Sequence, residues 1–259
     1  MLYACTLTLH DNVFFATREM GTLYETEKYL HNWALSYALF SVSHIPQPYR
    51  VKGKTAQKPS YLDEEAEQSL HHLNQAGIYV FPARPLSWSY QINTFKAAQS
   101  TYYGRSKQFG EKGADRNYPI NYGRAKELAV NSRYRTYILT AGEKKISIPQ
   151  WIRLGKWAAK VRVEAVEIPS SLVRARQGEY LCDRPLNPLD LDPSTQWLLY
   201  DRVVMPPVSL FSQAQLSGNY WEVAGNAWEN WKRERSLDLE NAIRLPRDVR
   251  YGASYVATA

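Results

Sequence analysis

Residues 101 to 129, TYYGRSKQFGEKGADRNYPINYGRAKELA, carry almost no aliphatic side chain before Leu128. A stretch that long with so little to bury adds little to a hydrophobic core, so the fold must close on either side of it. WSYQINTF precedes it and RYRTYILT follows, and both read as strands. The segment is therefore expected as an insertion bracketed by a sheet.

The rest of the chain supplies that sheet and its cover. In LYACTLTLHD, Leu2, Ala4, Thr6 and Thr8 alternate with Tyr3, Cys5, Leu7 and Leu9, which predicts an opening strand with one face more apolar than the other. From Glu25 to Phe40, Leu30, Trp33, Ala34, Tyr37 and Ala38 recur three or four apart, predicting a helix with Glu25 and Glu27 in its first turn. A second helix is expected from a Ser60 cap, with Asp63 three residues on, through Leu62, Ala66, Leu70 and Leu73 to a stop at Gly77. IYVF reads as a further strand, and in WSYQINTF the alternation of Trp88, Tyr90 and Ile92 with Ser89, Gln91 and Asn93 predicts one buried and one polar face. KVRVEAVEI is also strand-like, and Gly and Pro separate it from RYRTYILT. Prolines are frequent from Pro185 onward, so 185–259 is expected to be a loop-rich C-terminal extension, with elements near WLLYDRVV, NYWEV and AWENWKRE. This order gives an α+β fold in a single domain with large insertions.

Composition limits the function. No apolar run approaches the roughly 20 residues of a membrane-spanning helix, and the N-terminus reads as structure rather than a secretory signal, so a cytoplasmic location is expected. Cys5 and Cys182 are too few for a disulfide framework or a four-cysteine zinc site and are expected as buried thiols. The net charge of +7 is unevenly spread. From Thr94 to Tyr137, nine cations face three acids, which leaves +6 there and +1 in the remainder. A solvated surface loop would explain charge alone. Interleaved Tyr102, Tyr103, Tyr118, Tyr122, Tyr134 and Tyr137 favour single-stranded RNA, which is held by base stacking together with phosphate contact.

Of the five histidines, His10, His31, His44, His71 and His72, neither His10 nor His31 has a carboxylate or second histidine at metal-ligand spacing. His71 and His72 fall where the last turns of the second helix are expected and suit its dipole. HExxH, GxSxG, phosphate-loop and dinucleotide motifs are all missing, so no cofactor or metal is expected and no catalytic residue is assigned.

CTLTLHDNVFFATREMGTLYETEKYLHNWALSYAL at the start, NYGRAKELA in the centre and IRLGKWAAKVRVE later resemble the Cas-five-like (Csc-one) subunit of type I-D CRISPR Cascade, a member of the RAMP superfamily. The resemblance runs over most of the chain. It implies a ferredoxin-like, RRM-related domain with an inserted basic thumb, here residues 96–132, and an irregular C-terminal region. It also implies a non-catalytic subunit that caps the 5′ handle of the guide crRNA. Its partners would be a Cas-seven-like backbone subunit and a Cas-ten-like large subunit, near the protospacer-adjacent motif and within reach of target DNA.

On this reading Arg105, Lys107, Arg116, Arg124 and Lys126 contact phosphates, and Tyr102, Tyr103 and Tyr122 stack on bases or shape the channel. Gly104 and Gly123 permit close approach of the backbone. Arg18, which interrupts an apolar run, and Arg153 and Lys156, around the glycine of RLGK, are further candidates, each with an ordinary surface role as the alternative. Two other functions are compatible with the sequence: a metal-independent ribonuclease acting on repeat RNA, and a protein adaptor with a basic surface.

Overall fold

A computed structural model describes residues 1–40, 51–52, 55–56, 61–62, 69–96, 122–142 and 145–254. Strand β1 (Leu2–Leu9) is followed by β2 (Arg18–Met20), β3 (Leu23–Glu25), helix α1 (Asn32–Leu39), and the two-residue strands β4 (Val51–Lys52) and β5 (Thr55–Ala56). Helix α2 (His71–Gln75) leads into β6 (Ile78–Val80), β7 (Arg84–Ser87), β8 (Tyr90–Lys96), β9 (Tyr122–Leu128) and β10 (Arg133–Thr140). Then come β11 (Trp151–Leu154), β12 (Ala159–Ile168), β13 (Arg174–Cys182), β14 (Gln196–Val203), β15 (Leu210–Val223), helix α3 (Asn226–Glu234) and β16 (Ile243–Pro246). The result is a mixed α+β fold in which strands predominate.

The main sheet is antiparallel, in the order β11-β12-β1-β10-β6, with β7 also paired to β10. Its centre is β1, hydrogen-bonded to β12 on one side and β10 on the other. Only one face of β1 is clearly apolar by sequence, yet Leu2, Tyr3, Ala4 and Cys5 are all buried. Tyr3, Cys5, Leu7 and Leu9 join Leu30, Leu35 and Leu39 in a core beneath α1, while Leu2 and Ala4 enter a second core with Tyr180, Trp228 and Leu245. A strand covered on both faces loses the clean alternation of a half-exposed one.

That second cover corrects the expectation of a loop-rich C-terminal extension. The region holds a four-stranded sheet, β13-β15-β14 with β16 on β15, and helix α3. Pro185, Pro188, Pro193, Pro206 and Pro207 lie between its strands, and Leu210, Ser212, Ala214 and Leu216 of β15 alternate inward. Glu240, just after α3, binds this layer to the main sheet. It receives Arg84 Nη2 at 2.8 Å, Arg184 Nη1 at 3.2 Å, Arg135 Nη1 at 3.4 Å and the Tyr137 hydroxyl.

Other expectations also change. The first helix begins at Asn32, not Glu25: Glu25 ends β3, and His31 caps the helix by accepting the Trp33 N–H on Nδ1 at 3.2 Å. Of the second helix, α2 and its stop at Gly77, φ +68°, are seen, while Ser60, Asp63 and Ala66 lie outside the described residues. His71 opens α2 rather than closing it, with Nε2 bonded to the Leu62 carbonyl. Trp88 and Ile92 are exposed, at 44% and 56%, where a buried face was expected. Both cysteines are free and buried. Among the described residues, no helix is long and apolar enough to cross a membrane.

Candidate nucleic-acid interface

The exposure of Ile92 has a structural cause. β8 pairs with β9 instead of continuing the main sheet, in an antiparallel ribbon running from Tyr90↔Leu128 to Lys96↔Tyr122. The ribbon therefore opens onto residues 97–121, which lie outside the described residues. β9 also pairs in parallel with β3, and β3 with β2, forming a separate sheet in the order β2-β3-β9-β8.

Strand alternation divides β9 between two faces. Gly123, Ala125 and Glu127 are buried, whereas Arg124 is exposed and Lys126 half-buried. On the outward face the register aligns Arg18, Glu25, Lys126 and Ile92 in one row and Met20, Leu23, Arg124 and Thr94 in the next.

The inward face explains the glycine of NYGR. A Cβ on Gly123 would stand 2.6 Å from Phe95 Cζ and 3.1 Å from Tyr24 Cε2. The close approach that this glycine permits is thus made by the protein's own rings, which corrects its assignment to RNA contact. Phe95 also meets Trp157 edge-on at 6.3 Å, and Trp157 stacks on Phe14 at 4.5 Å. Trp157 lies in the β11–β12 hairpin turn, whose Gly155, at φ +78°, presses its backbone against the Phe14 carbonyl. NYGR and RLGK, about thirty residues apart, are joined through this chain of rings.

The outward cations differ in how far they are compensated. Arg124 makes no ion pair with a described residue and is exposed. Lys126 Nζ lies 3.0 Å from Glu25 Oε1 and 4.4 Å from the Tyr90 ring centre. Arg18 Nη2 is 2.6 Å from Glu27 Oε2. Burial, then the Glu27 and Glu25 carboxylates, push the Tyr90 hydroxyl up to about 12, so it remains a neutral donor. Arg153 is exposed and donates to the Ala158 carbonyl at 3.2 Å, and the exposed Lys156 sits at the hairpin turn. An outward sheet face with Arg124, which has no carboxylate partner among the described residues, two partly neutralised cations and an aromatic ring between strands suits a backbone phosphate beside an unstacked base.

Tyr102, Tyr103, Gly104, Arg105, Lys107 and Arg116 lie outside the described residues, and Tyr122 is placed by its backbone in β9. Tyr134, Tyr137 and Arg135 are corrected outright. They are 0%, 0% and 2% exposed, because β10 lies inside the main sheet and Glu240 neutralises the arginine. Sequence reasoning passed over Trp157 and Lys28, although the tryptophan directly follows RLGK.

His31, His10 and His71 are engaged structurally, whereas His72 is exposed. Burial pushes His31 down to about 3, with Nε2 bonded to the Val208 carbonyl, and His10 meets Trp151 edge-on at 4.9 Å. Among the described residues no three His, Cys, Asp or Glu side chains are grouped as a metal would require. His44 lies outside them.

Residues 1–254 match the model of a family described as type I-D CRISPR-associated protein Cas5/Csc1. No curated protein matches the sequence. Among solved structures, a chain of the type III-B Cmr-beta complex bound to cognate target RNA and AMPPnP is similar. Its identity is 8% and its TM-score 0.44, over 92% of this chain and 90% of that one. A CRISPR protein from Archaeoglobus fulgidus is similar at 11% identity and a TM-score of 0.39, over 87% and 98% respectively.

Proposed function

The chain belongs to the type I-D Cas5/Csc1 family of CRISPR-associated proteins, subunits of CRISPR effector complexes, and from that premise we propose that it caps the 5′ handle of the guide crRNA without catalysing a reaction. The observation that carries this reading is Arg124: an exposed arginine without a described counter-ion, on the strand that returns from the basic, tyrosine-containing insertion. Lys126 and Tyr90 extend the same surface. In this reading the insertion is the thumb of a ferredoxin-like domain, and the outward face of the β8–β9 ribbon guides RNA towards it. The test is to purify the chain with its co-expressed complex, extract the bound RNA and sequence its 5′ ends. A discrete species beginning with a repeat-derived handle is expected, whereas heterogeneous RNA or none would overturn the capping role.

Bridging to a Cas-seven-like backbone subunit and a Cas-ten-like large subunit, beside target DNA at the protospacer-adjacent motif, completes the proposal. One observation favours protein contact as well. Among the described residues β14 pairs only with β15, and it exposes the consecutive Leu198, Leu199 and Tyr200 at 45%, 66% and 42%. An apolar edge strand of this kind is a liability unless something covers it.

A further inference from the structure

The outward face of the β2-β3-β9-β8 sheet runs into a cleft that the RNA surface above does not account for. Arg18, already in the outward row with Lys126, lines one wall together with Lys28 and Tyr29. The other wall is the β14–β15 hairpin, with Arg202, Ser212 and Gln213. Its volume of about 780 Å³ falls within the range of small-ligand sites.

The hairpin wall is shaped by a bulge. Between the pairs Leu199↔Gln215 and Asp201↔Ser212, β15 advances three residues while β14 advances two. The extra length of β15 includes Gln213, which is exposed and adopts φ +50°, a left-handed conformation uncommon for any residue with a side chain. Bulges redirect a side chain, and strained backbone gathers at binding sites. Here the redirected group is a primary amide, which can both donate to and accept from the edge of a base.

The rest of the cleft has the chemistry of a nucleotide site. Lys28 makes no ion pair with a described residue, and its ammonium lies 5.2 Å from the Tyr29 ring centre and 5.6 Å from that of the exposed Trp88. Arg202 is exposed and donates only to Ser209 Oγ, at 3.3 Å, among described residues. Glu27 is occupied by Arg18, so Asp201 is the one lining carboxylate left uncompensated against Lys28 and Arg202. Two free cations, aromatic rings and an amide form the combination by which unpaired RNA bases are held and read.

We propose that this cleft receives one unpaired nucleotide of the RNA on the adjoining sheet face, with Lys28 and Arg202 holding its phosphates and the Gln213 amide selecting its base. The inference rests on the RNA-binding function proposed above and adds a base-specific position to it.

The test is selection by the full chain from a pool of random single-stranded RNA octamers, with the retained RNA sequenced. Wild-type protein should enrich one base at one position by about fivefold or more, the scale of a good bidentate contact. Gln213→Gly keeps a residue suited to the left-handed backbone and removes the amide. It should equalise the four bases while total retention stays within about twofold, since the phosphate contacts that dominate affinity are untouched. Lys28→Ala combined with Arg202→Ala should lower retention of every sequence. Survival of the base preference in Gln213→Gly overturns the inference. RNA retention that depends on Arg124 but shows no base preference overturns the cleft alone. So does loss of a co-purifying protein subunit, with RNA unchanged, in the cleft variants. No RNA retention by wild-type protein overturns both this inference and the function it rests on.

Discussion

Cζ of Phe95 stands 2.6 Å from the position that a Cβ on Gly123 would occupy, so the Phe95 ring holds this position only because that residue has no side chain. Gly123→Ala should therefore destabilise the protein by about 1–3 kcal/mol, as overpacking does, and weaken RNA binding although no charge is removed. Phe95→Leu in the same chain should recover part of the loss. A urea-denaturation double-mutant cycle measures this coupling, and strictly additive effects would argue against the contact.

Arg124 and Lys126 sit two residues apart on the same face of β9, but among the described residues only Lys126 has a carboxylate partner. Arg124→Ala should reduce the slope of log affinity against log salt by about 0.7, the value for one phosphate on a single strand. Glu25→Gln, which frees Lys126, should instead strengthen binding. Fluorescence anisotropy across a salt series checks both, and an unchanged slope in Arg124→Ala would remove that residue from the interface.

Glu240 gathers Arg84, Arg135 and Arg184. Glu240→Gln leaves Arg135 buried without a carboxylate and Arg184 with only Asp183, at 3.7 Å, and should cost about 3–5 kcal/mol. Burial raises the Glu240 carboxyl, but Arg184, the Tyr137 hydroxyl, Arg135 and Arg84 outweigh it and hold the group at about 2, against an ordinary 4.5. A depressed carboxylate contributes stability above pH 4.5 that is lost as pH falls towards 2. Wild-type protein should show this acid limb in thermal melts, and Glu240→Gln should lack its share. A mutant with the wild-type limb would contradict the assignment.

His31 and Asp190 oppose each other in pH dependence. Burial lowers His31 from 6.5 to about 3, so its contribution is present above pH 6.5 and lost as pH falls. Burial raises Asp190 from 3.8 to about 6 despite bonds from Gly252 N–H, Asn32 Nδ2 and the Tyr79 hydroxyl. Its contribution is present below 3.8 and lost as pH rises through about 6. Between about pH 4 and 6 the two slopes, each at most about 1.4 kcal/mol per pH unit, nearly cancel. His31→Asn should reveal stability rising as pH falls across that interval, and Asp190→Asn the reverse. Urea midpoints at the two ends decide, and slopes of the same sign in both variants would refute the pairing.

Several features were legible without coordinates. Alternation located β1, β10 and β12, Gly77 ended a helix, and the glycine of RLGK marked a turn. WSYQINTF and RYRTYILT were read as strands on either side of the aliphatic-poor stretch, but the stretch itself contributes β9, which pairs with β8. Each of these is a local property: period-two patterning and positive φ are set by neighbouring residues.

The C-terminal region was misread as loop-rich, although the elements expected near WLLYDRVV, NYWEV and AWENWKRE are β14, β15 and α3, because prolines mark turns whether or not paired strands lie between them. Tyr134, Arg135 and Tyr137 looked like part of an RNA-binding surface because they continue its pattern of arginine and tyrosine, and only the layer carrying Glu240 places them inside. Gly123 looked like a point of ligand approach until Phe95 and Tyr24 were seen across it. The amino-acid sequence by itself determined the strands β1, β10 and β12, the turns at Gly77 and Gly155 and where positive charge concentrates, since these depend on residues close together along the chain. Which faces are covered, which cations are neutralised, and how Gln213 comes to face Lys28 across a cleft were decided only by tertiary structure, because each depends on partners brought together from distant positions.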